Sequence, residues 1–198
     1  MNDTLRAGLV AMLERDRDVR TRLVEEGKLF GGYAPEMEAV HEENARALAR
    51  LIDVHGWPGL SLAGPDGSMA AWTIAMHAIG LPDFQRRCFA LVAAAADAGE
   101  MPAAFAAMLE DRLRFNERRP QRFGTIFDWD ESGRMSPWHI ESPDDVERLR
   151  AEVGLPPLAE QVKRARRAPR ERGDRPPASY AERQRDIEAW SRKAGWIE

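Results

Sequence analysis

Glycine and proline residues divide the first part of the chain into segments whose apolar side chains recur at three- and four-residue steps. The first segment runs from about residue 3 to residue 26, and Gly27 ends it. Pro35 opens the second, which continues to Gly56-Trp57-Pro58. This spacing is typical of amphipathic α-helices, so the sequence predicts a mainly α fold.

Three further helices complete a predicted bundle-like array of about five. A stretch rich in turn-forming residues, 56–67, leads into a short third helix that ends near Gly80. The fourth helix starts at Pro82-Asp83 and has a wide apolar face. The fifth runs from Pro102 to about Arg118. Five helices in antiparallel succession predict one bundle-like core.

The helical spacing of apolar residues ends at about Pro120. Residues 123–140 contain two short runs of β-forming residues around a turn, which predicts a β-hairpin. Ser142 is expected to cap a helix that reaches about Glu152. These elements give a predicted helical core domain over residues 1–160, with the hairpin at about 123–140.

The remaining residues form a predicted linker and a final helix. Residues 161–178 are rich in arginine and proline, which predicts a basic linker; without interleaved aromatic residues, a solvated linker is favoured over a phosphate-binding one. Residues 179–198 form a predicted amphipathic helix, in which Ser179 and Glu182 have the spacing of a capping box. The apolar side of this helix needs a partner, so it is a candidate contact for a homo-oligomer.

Composition disfavours several classes of protein. The 198 residues are 43% hydrophobic and 31% charged, which suits a water-soluble globular protein. Cys88 is the only cysteine, so neither an intrachain disulfide nor a thiolate metal cluster is expected, and a cytoplasmic location is favoured. The longest apolar stretch, residues 88–96, is too short for a membrane span, and the net charge of −4 gives no overall attraction to nucleic acid. We expect neither a membrane nor a nucleic acid as a partner.

The common catalytic signatures are missing from the sequence. It contains no P-loop, no dinucleotide-binding glycine motif, no serine-hydrolase elbow and no HExxH zinc motif. The histidines at positions 41, 55, 77 and 139 do not form a pair with the spacing of metal ligands. The sequence therefore predicts no metal site and no cofactor.

Arg112 is the most informative polar residue, because it continues the apolar stripe of Phe105, Met108 and Phe115 on the fifth helix. A guanidinium removed from water needs an anionic partner. One interpretation is that Arg112 binds an anionic group of a substrate. The other is that it forms a structural salt bridge with an internal acid, and the sequence leaves both open.

His77 lies near the end of the third helix, on a face whose other side chains are small or apolar. An imidazole, with an unperturbed pKa of about 6.5, suits acid/base chemistry, and a carboxylate such as Asp111 could fix its tautomer. A core histidine bonded to a backbone carbonyl would give the same pattern. Asn44 could orient a substrate or satisfy a neighbouring loop, and Trp72 could line a ligand pocket or belong to the core.

Several short motifs follow one another along residues 1–160: Asn44, Gly56-Trp57-Pro58, Gly64, Ala71, His77-Ala78, Phe84-Gln85, Asp111-Arg112, Phe123-Gly124-Thr125, Pro137 and Val153-Gly154-Leu155-Pro156-Pro157-Leu158. In this order they resemble an uncharacterised bacterial domain family with the pattern N…GWP…G…A…QHA…FQ…DR…YGTQ…P…VGLxPL. The resemblance implies a shared helical fold and a polar site that contains Asn44, His77, Gln85, Asp111 and Arg112, and it implies no particular reaction.

Two residues depart from the family pattern. Met76 stands before His77 where the family has glutamine, and Ile126 stands after Thr125 where it also has glutamine. If those glutamines bind a ligand in other members, this chain has a different ligand or activity.

These observations lead to two functional hypotheses. In the first, the protein is an enzyme that modifies a small molecule or peptide with an anionic group: His77 acts as acid or base, Asp111 orients it and Arg112 holds the anion. Asn44, Gln85 and Trp72 would bind the substrate. In the second, the protein is a non-catalytic interaction or immunity-like module that uses the hairpin and the C-terminal helix.

Overall fold

The structure, a computed structural model, describes residues 1–29, 32–172 and 175–198. This part of the chain contains eight helices and one antiparallel hairpin, so the predicted mainly α fold with a short hairpin is confirmed. The elements are α1 (Asp3–Glu25), α2 (Pro35–His55), α3 (Leu60–His77), α4 (Pro82–Asp97), α5 (Ala103–Asn116), β1 (Phe127–Trp129), β2 (Met135–Pro137), α6 (Val146–Glu152), α7 (Leu158–Arg172) and α8 (Tyr180–Lys193).

The chain divides into two compact units. The first unit, Met1–Met101, contains α1 to α4, and the second, Pro102–Glu198, contains α5 to α8 and the hairpin. In the first unit α1 packs against α2 and α3, and α3 packs against α4. The core of this unit is built from fully buried side chains on each helix, among them Leu9, Leu48, Ile74 and Val92.

Small residues allow α1 and α3 to approach closely. A Cβ atom added at Gly67 would lie 3.0 Å from the Ala63 Cβ atom and 3.3 Å from the Arg6 Cα atom. Substitution of Gly67 would therefore force the two helices apart. This close packing matters because α1 and α3 each contribute a residue to the candidate site described below.

The turn-rich stretch before the third helix is more helical than its composition predicts. Helix α3 already begins at Leu60, and a kink at Gly64 separates its first turn from the rest. Gly64 has a φ of 68°, a left-handed conformation that favours glycine, and Pro65 follows it, where its fixed φ suits the first turn of a helix. The interruption is thus confined to Gly64. The helix continues after it, and His77 is its last residue.

Three buried polar side chains organise the second unit around the loop of residues 121–126. Asp111 of α5 accepts hydrogen bonds from the backbone N–H groups of Arg122, Phe123 and Thr125, at 2.7, 3.1 and 3.0 Å, and from the Thr125 hydroxyl at 2.9 Å. The Gln121 side chain bonds both the N–H and the carbonyl of Ile126. The loop is therefore fixed from within by side chains, while backbone hydrogen bonds to residues 138–141 hold its two ends.

The third of these side chains, Arg150 of α6, donates hydrogen bonds to the carbonyls of Phe123, Gly124 and Pro156. Gly124 adopts a φ of 65°, and a Cβ atom there would lie 3.0 Å from Leu158. Several motifs of the family pattern, from Asp111 to Pro156, thus lie in one buried hydrogen-bonded network.

The predicted basic linker is corrected over much of its length, because Leu158–Arg172 form helix α7. Residues 173 and 174, in the middle of the predicted linker, lie outside the described residues. The capping prediction for the final helix is confirmed, since the Ser179 hydroxyl accepts a hydrogen bond from the Glu182 N–H. In contrast, Ser142 does not cap α6, which begins only at Val146 with Asp145 before it.

Helix α8 has a partner within its own unit. Arg183 donates to the buried carboxylate of Asp128 on β1 at 2.8 Å, and Gln184 accepts a hydrogen bond from Arg118 at 2.8 Å. Trp196, just beyond the helix, is buried. Helix α8 is therefore bonded through polar side chains to β1 and to the residues that follow α5.

We expect Asp111→Ala to lower the free energy of unfolding by about 2–4 kcal/mol, because it leaves several buried backbone donors without an acceptor. The measurement is urea denaturation followed by far-UV circular dichroism. Asp144→Ala removes an exposed carboxylate from the same unit and is expected to change stability by less than about 0.5 kcal/mol. Equal effects of the two substitutions would contradict the assigned role of Asp111.

Candidate functional site

Asp16 is a buried carboxylate on α1. Its neighbours along one face of the helix, Leu9, Leu13 and Leu23, are buried leucines, so the acid occupies a position in the apolar stripe. Its side chain is 2% exposed. Burying an ionised carboxylate is costly unless it finds partners, so the groups that surround Asp16 determine what this position does.

Two histidines approach the same oxygen of Asp16. The His77 Nδ1 atom lies 2.7 Å from Asp16 Oδ2, within hydrogen-bond distance, and the His41 Nε2 atom lies 3.2 Å from that oxygen. The two imidazole rings are 4.8 Å apart between centroids. The fold therefore brings together one carboxylate and two imidazoles from α1, α2 and α3.

Two buried atoms of this cluster lack a hydrogen bond. Within the described ranges 1–29, 32–172 and 175–198, neither Asp16 Oδ1 nor His41 Nε2 has a hydrogen-bond partner. An unsatisfied buried polar atom costs about 1–3 kcal/mol, and most such atoms in native proteins are paired. Within the described residues, these two atoms are therefore free to bind a ligand at the centre of the cluster.

Tyr33 supports the cluster from the segment between α1 and α2. Its hydroxyl lies 2.7 Å from the second ring nitrogen of His41, Nδ1. Tyr33 packs against a small apolar cluster formed by Leu23, Ala34 and Met37. Its position, and through it the orientation of the His41 ring, is therefore set by packing as well as by the hydrogen bond.

The electrostatic surroundings favour a cation. Burial alone raises the pKa of Asp16, but the interactions with His41 and His77 outweigh it and hold the pKa below its usual range. Burial raises the pKa of Tyr33, and the negative charges of Glu38, Glu42 and Asp16 raise it further, so the phenol stays protonated. The carboxylate is ionised, and two more acids lie near enough to act on Tyr33.

The cluster is accessible from one side. Asp16 is enclosed and the His41 side chain is only 11% exposed, whereas the His77 side chain is 37% exposed. His77 is the last residue of α3 and therefore lies at the end of the helix where a positive charge is favoured. A ligand can reach the site through His77 without displacing the core.

The structure pairs the predicted site residues differently from the sequence analysis. His77 is held by Asp16, whereas Asp111, its predicted partner, lies in the second unit and binds the 122–125 backbone. Asn44 is buried and donates to the Met12 carbonyl, tying α2 to α1. These contacts give Asn44 and Asp111 structural roles.

Gln85, Trp72 and Arg112 also have defined surroundings. Gln85 is buried and donates to the carbonyls of Ala75 and Met76 near the end of α3, at 2.6 and 3.1 Å. Trp72 is buried on the same helix. Arg112 lies on α5 in the second unit. Of the six residues predicted for the site, only His77 is part of the cluster.

Asp16, His41 and Tyr33 were missed by sequence reasoning. The signal for Asp16 was available, because it interrupts an apolar stripe just as Arg112 does. His41 lies four residues after buried Met37, on the side of α2 that faces the core. No spacing rule connects positions 16, 41 and 77, so only the packing of α1, α2 and α3 shows that they meet.

Comparison with known proteins places the chain in a family. The model of DUF6624, a family of unknown function, matches residues 3–169. The chain belongs to DUF6624. The matched region includes α1 to α6 and most of α7, and it contains the whole Asp16–His41–His77 cluster. No curated protein and no solved structure compared with the chain matches it.

No helix within the described residues is both long and apolar enough to cross a membrane.

The lowered pKa of Asp16 predicts a specific acid sensitivity of the metal-free protein. An unfolded aspartate has a pKa of about 3.9, so as the pH falls the unfolded chain takes up this proton before the folded chain does. The stability from ionised Asp16 is complete above that pKa and is lost as the pH falls towards the folded-state value. We expect Asp16→Asn to reduce the slope of unfolding free energy against pH below about pH 4.

Urea denaturation at a series of pH values measures this slope. Asp83→Asn, which alters a fully exposed carboxylate of the same unit, serves as the control and is expected to keep the wild-type slope. An Asp16→Asn profile parallel to that of the wild type would show that the carboxylate has no special linkage to folding.

Proposed function

We propose that Asp16, His41 and His77 bind a divalent transition metal and that this DUF6624 member is a metal-dependent hydrolytic enzyme. The observation that supports this most directly is the convergence of three donor atoms, one from each residue, within 4.8 Å of one another. A metal ion would bind Asp16 Oδ1 and His41 Nε2, two buried atoms that have no hydrogen bond among the described residues.

The donor set selects the class of metal. Two imidazole nitrogens and one carboxylate oxygen suit zinc and its first-row neighbours, whereas calcium and magnesium prefer oxygen ligands. Catalytic zinc sites commonly use three protein ligands and leave a further position for water or substrate. The half-exposed side of the cluster at His77 supports such an open position.

The surroundings of the donors are those expected of a metal site. Ligating histidines usually bond a second group through their other ring nitrogen, which fixes the tautomer and orientation. Tyr33 provides this contact for His41 at 2.7 Å. Glu38, Glu42 and Asp16 add negative charge that favours a bound cation.

The chemistry that follows is hydrolysis. A zinc-class ion lowers the pKa of bound water to about 7, which supplies hydroxide at neutral pH. Asp16, His41 and His77 would hold the ion. In the overall reaction the oxygen of a water molecule would bond to the electrophilic carbon or phosphorus of the substrate, the bond to the leaving group would break, and one proton of that water would go to the leaving group. A small-molecule or peptide substrate would approach the ion from the exposed side of His77.

A second candidate function uses the same residues without a metal. The 2.7 Å contact between His77 Nδ1 and Asp16 Oδ2 is the arrangement in which a buried carboxylate orients a catalytic imidazole. His77 would then act as general acid or base through its other ring nitrogen. This candidate keeps the acid/base role predicted for His77 and replaces Asp111 by Asp16 as the orienting group.

Metal binding is tested first on the full chain by isothermal titration of chelator-treated protein with zinc chloride, and by metal analysis of the purified protein. We expect about one equivalent of zinc to bind, and His41→Ala and His77→Ala to weaken binding by more than about 100-fold, because each removes a ligand. His55→Ala, an exposed histidine of α2, is the control and is expected to bind like the wild type. Binding that is absent, or equal in all three variants, would overturn the metal proposal.

Activity distinguishes the two candidates. A panel of ester, phosphoester and peptide substrates is assayed before and after chelation and zinc restoration. Loss on chelation with recovery on restoration supports the metal enzyme, whereas activity that survives chelation but is lost in His77→Ala supports the metal-free candidate. Activity that is unaffected by both treatments would place the chemistry elsewhere and overturn both.

Tyr33→Phe is expected to weaken zinc binding by about 10–100-fold, because it removes the hydrogen bond that orients His41. The measurement is the same titration. Tyr180→Phe alters the other tyrosine of the chain and is expected to leave the affinity unchanged. Identical zinc affinity in Tyr33→Phe and the wild type would show that the hydroxyl does not support the site.

A further inference from the structure

Arg112 of α5 is a cation without a partner among the described residues. Within residues 1–29, 32–172 and 175–198, its guanidinium makes no hydrogen bond and no ion pair, and its Nε atom is buried. The residue as a whole is only partly exposed. Burial lowers the pKa of Arg112, and no neighbouring charge opposes this shift.

The other enclosed arginines of the second unit each have at least one partner, although the Nη1 atom of Arg118 is also buried without a hydrogen bond among the described residues. Arg150 donates to backbone carbonyls, Arg114 pairs with Glu110 and Glu141, and Arg118 donates to Gln184 while lying over an aromatic ring. This unit therefore supplies partners to its guanidinium groups as a rule. Arg112 departs from that rule, so its isolation calls for a separate explanation.

The neighbouring acid does not supply the missing partner. Asp111 is adjacent in the sequence, but its carboxylate is occupied by the backbone of Arg122, Phe123 and Thr125. Consecutive helical residues also point about 100° apart around the axis. The structural salt bridge that the sequence left open is thus not formed by the described residues.

We propose that Arg112 is the anchor of an oxyanion-binding site in the second unit, with a carboxylate or a phosphate group as its ligand. A guanidinium presents parallel N–H donors that match both groups, and such charge-assisted pairs are among the strongest hydrogen bonds in proteins. A buried unpaired cation destabilises the fold, so its presence is explained when a ligand supplies the counter-charge. The inference goes beyond the proposed metal site and does not depend on it.

This assignment predicts opposite effects on stability and on binding. Arg112→Met keeps much of the side-chain volume and removes the unpaired charge, so it is expected to raise the Tm of the ligand-free protein by roughly 2–4 °C. A structural arginine would give the opposite result, because its loss would lower the Tm. Arg148→Met, which changes an exposed arginine of α6, is the control and is expected to leave the Tm nearly unchanged.

Ligand binding is tested with sodium phosphate and sodium acetate at constant ionic strength. We expect at least one of these anions to raise the Tm of the wild type in a saturable manner and to have no such effect on Arg112→Met. A response to phosphate alone identifies a phosphate site, and a response to acetate alone identifies a carboxylate site. Failure of both anions to raise the wild-type Tm, or an equal rise in Arg112→Met, would overturn the proposal.

The side-chain resonance of Arg112 gives a second readout that a general stabilising effect of salt would not produce. The Nε–H signal in a ¹H–¹⁵N spectrum is identified by its loss in Arg112→Met, and it is expected to shift progressively as the effective anion is added. An unshifted Arg112 signal at anion concentrations that raise the Tm would place the anion elsewhere and overturn the assignment.

Discussion

A buried carboxylate must find donors, and each unit of this protein is arranged around one. In the second unit Asp111 is fully engaged, because three backbone N–H groups and the Thr125 hydroxyl point at its two oxygens. In the first unit Asp16 meets two imidazoles through one oxygen, and its other oxygen has no hydrogen bond among the described residues. The same side chain therefore serves as a structural anchor in one unit and as an incompletely satisfied ligand in the other.

Whether a buried polar side chain has all its hydrogen bonds distinguishes structural residues from candidate site residues more clearly than burial does. Asn44, Gln85 and Asp111 are all buried polar residues, and each uses its polar atoms to bond backbone groups. Their contacts explain why the fold needs them. The cluster of Asp16, His41 and His77 has buried polar atoms without a hydrogen bond in the part of the chain that the structure describes, and a bound ligand could supply that bond.

Most of the helices could be predicted from the sequence because each depends on local information. Pro35 and Pro82 are the first residues of α2 and α4, as predicted, and α2 ends at His55, directly before the predicted stop at Gly56. Helix α7 was missed because its many arginines and its proline resemble a linker, although its helical conformation continues to Arg172. Long arginine side chains favour helix when they can remain solvated, and composition alone does not reveal this.

The candidate site could be predicted only in part. His77 was identified by its position on an apolar face, but Asp16, which bonds it in the structure, was not identified, because a sequence gives no distance between helices. The sequence predicted that Asp111 and Arg112 belong to one polar site. In the structure the Asp111 carboxylate is bonded by backbone N–H groups, whereas Arg112 has no partner among the described residues. Ile126, which stands where the family pattern has glutamine, is buried, and its backbone bonds Gln121. Its substitution therefore concerns the interior of the second unit.

The three donors of the cluster come from positions 16, 41 and 77, on three helices whose packing is set by apolar contacts and by the close approach at Gly67. An unfolded chain keeps these groups far apart, and a fragment with only one or two of the helices lacks the full set. A cation held by all three would bind the folded state alone, so its binding free energy would add to the stability of the first unit. Occupancy of the cluster would then report whether α1, α2 and α3 are correctly assembled.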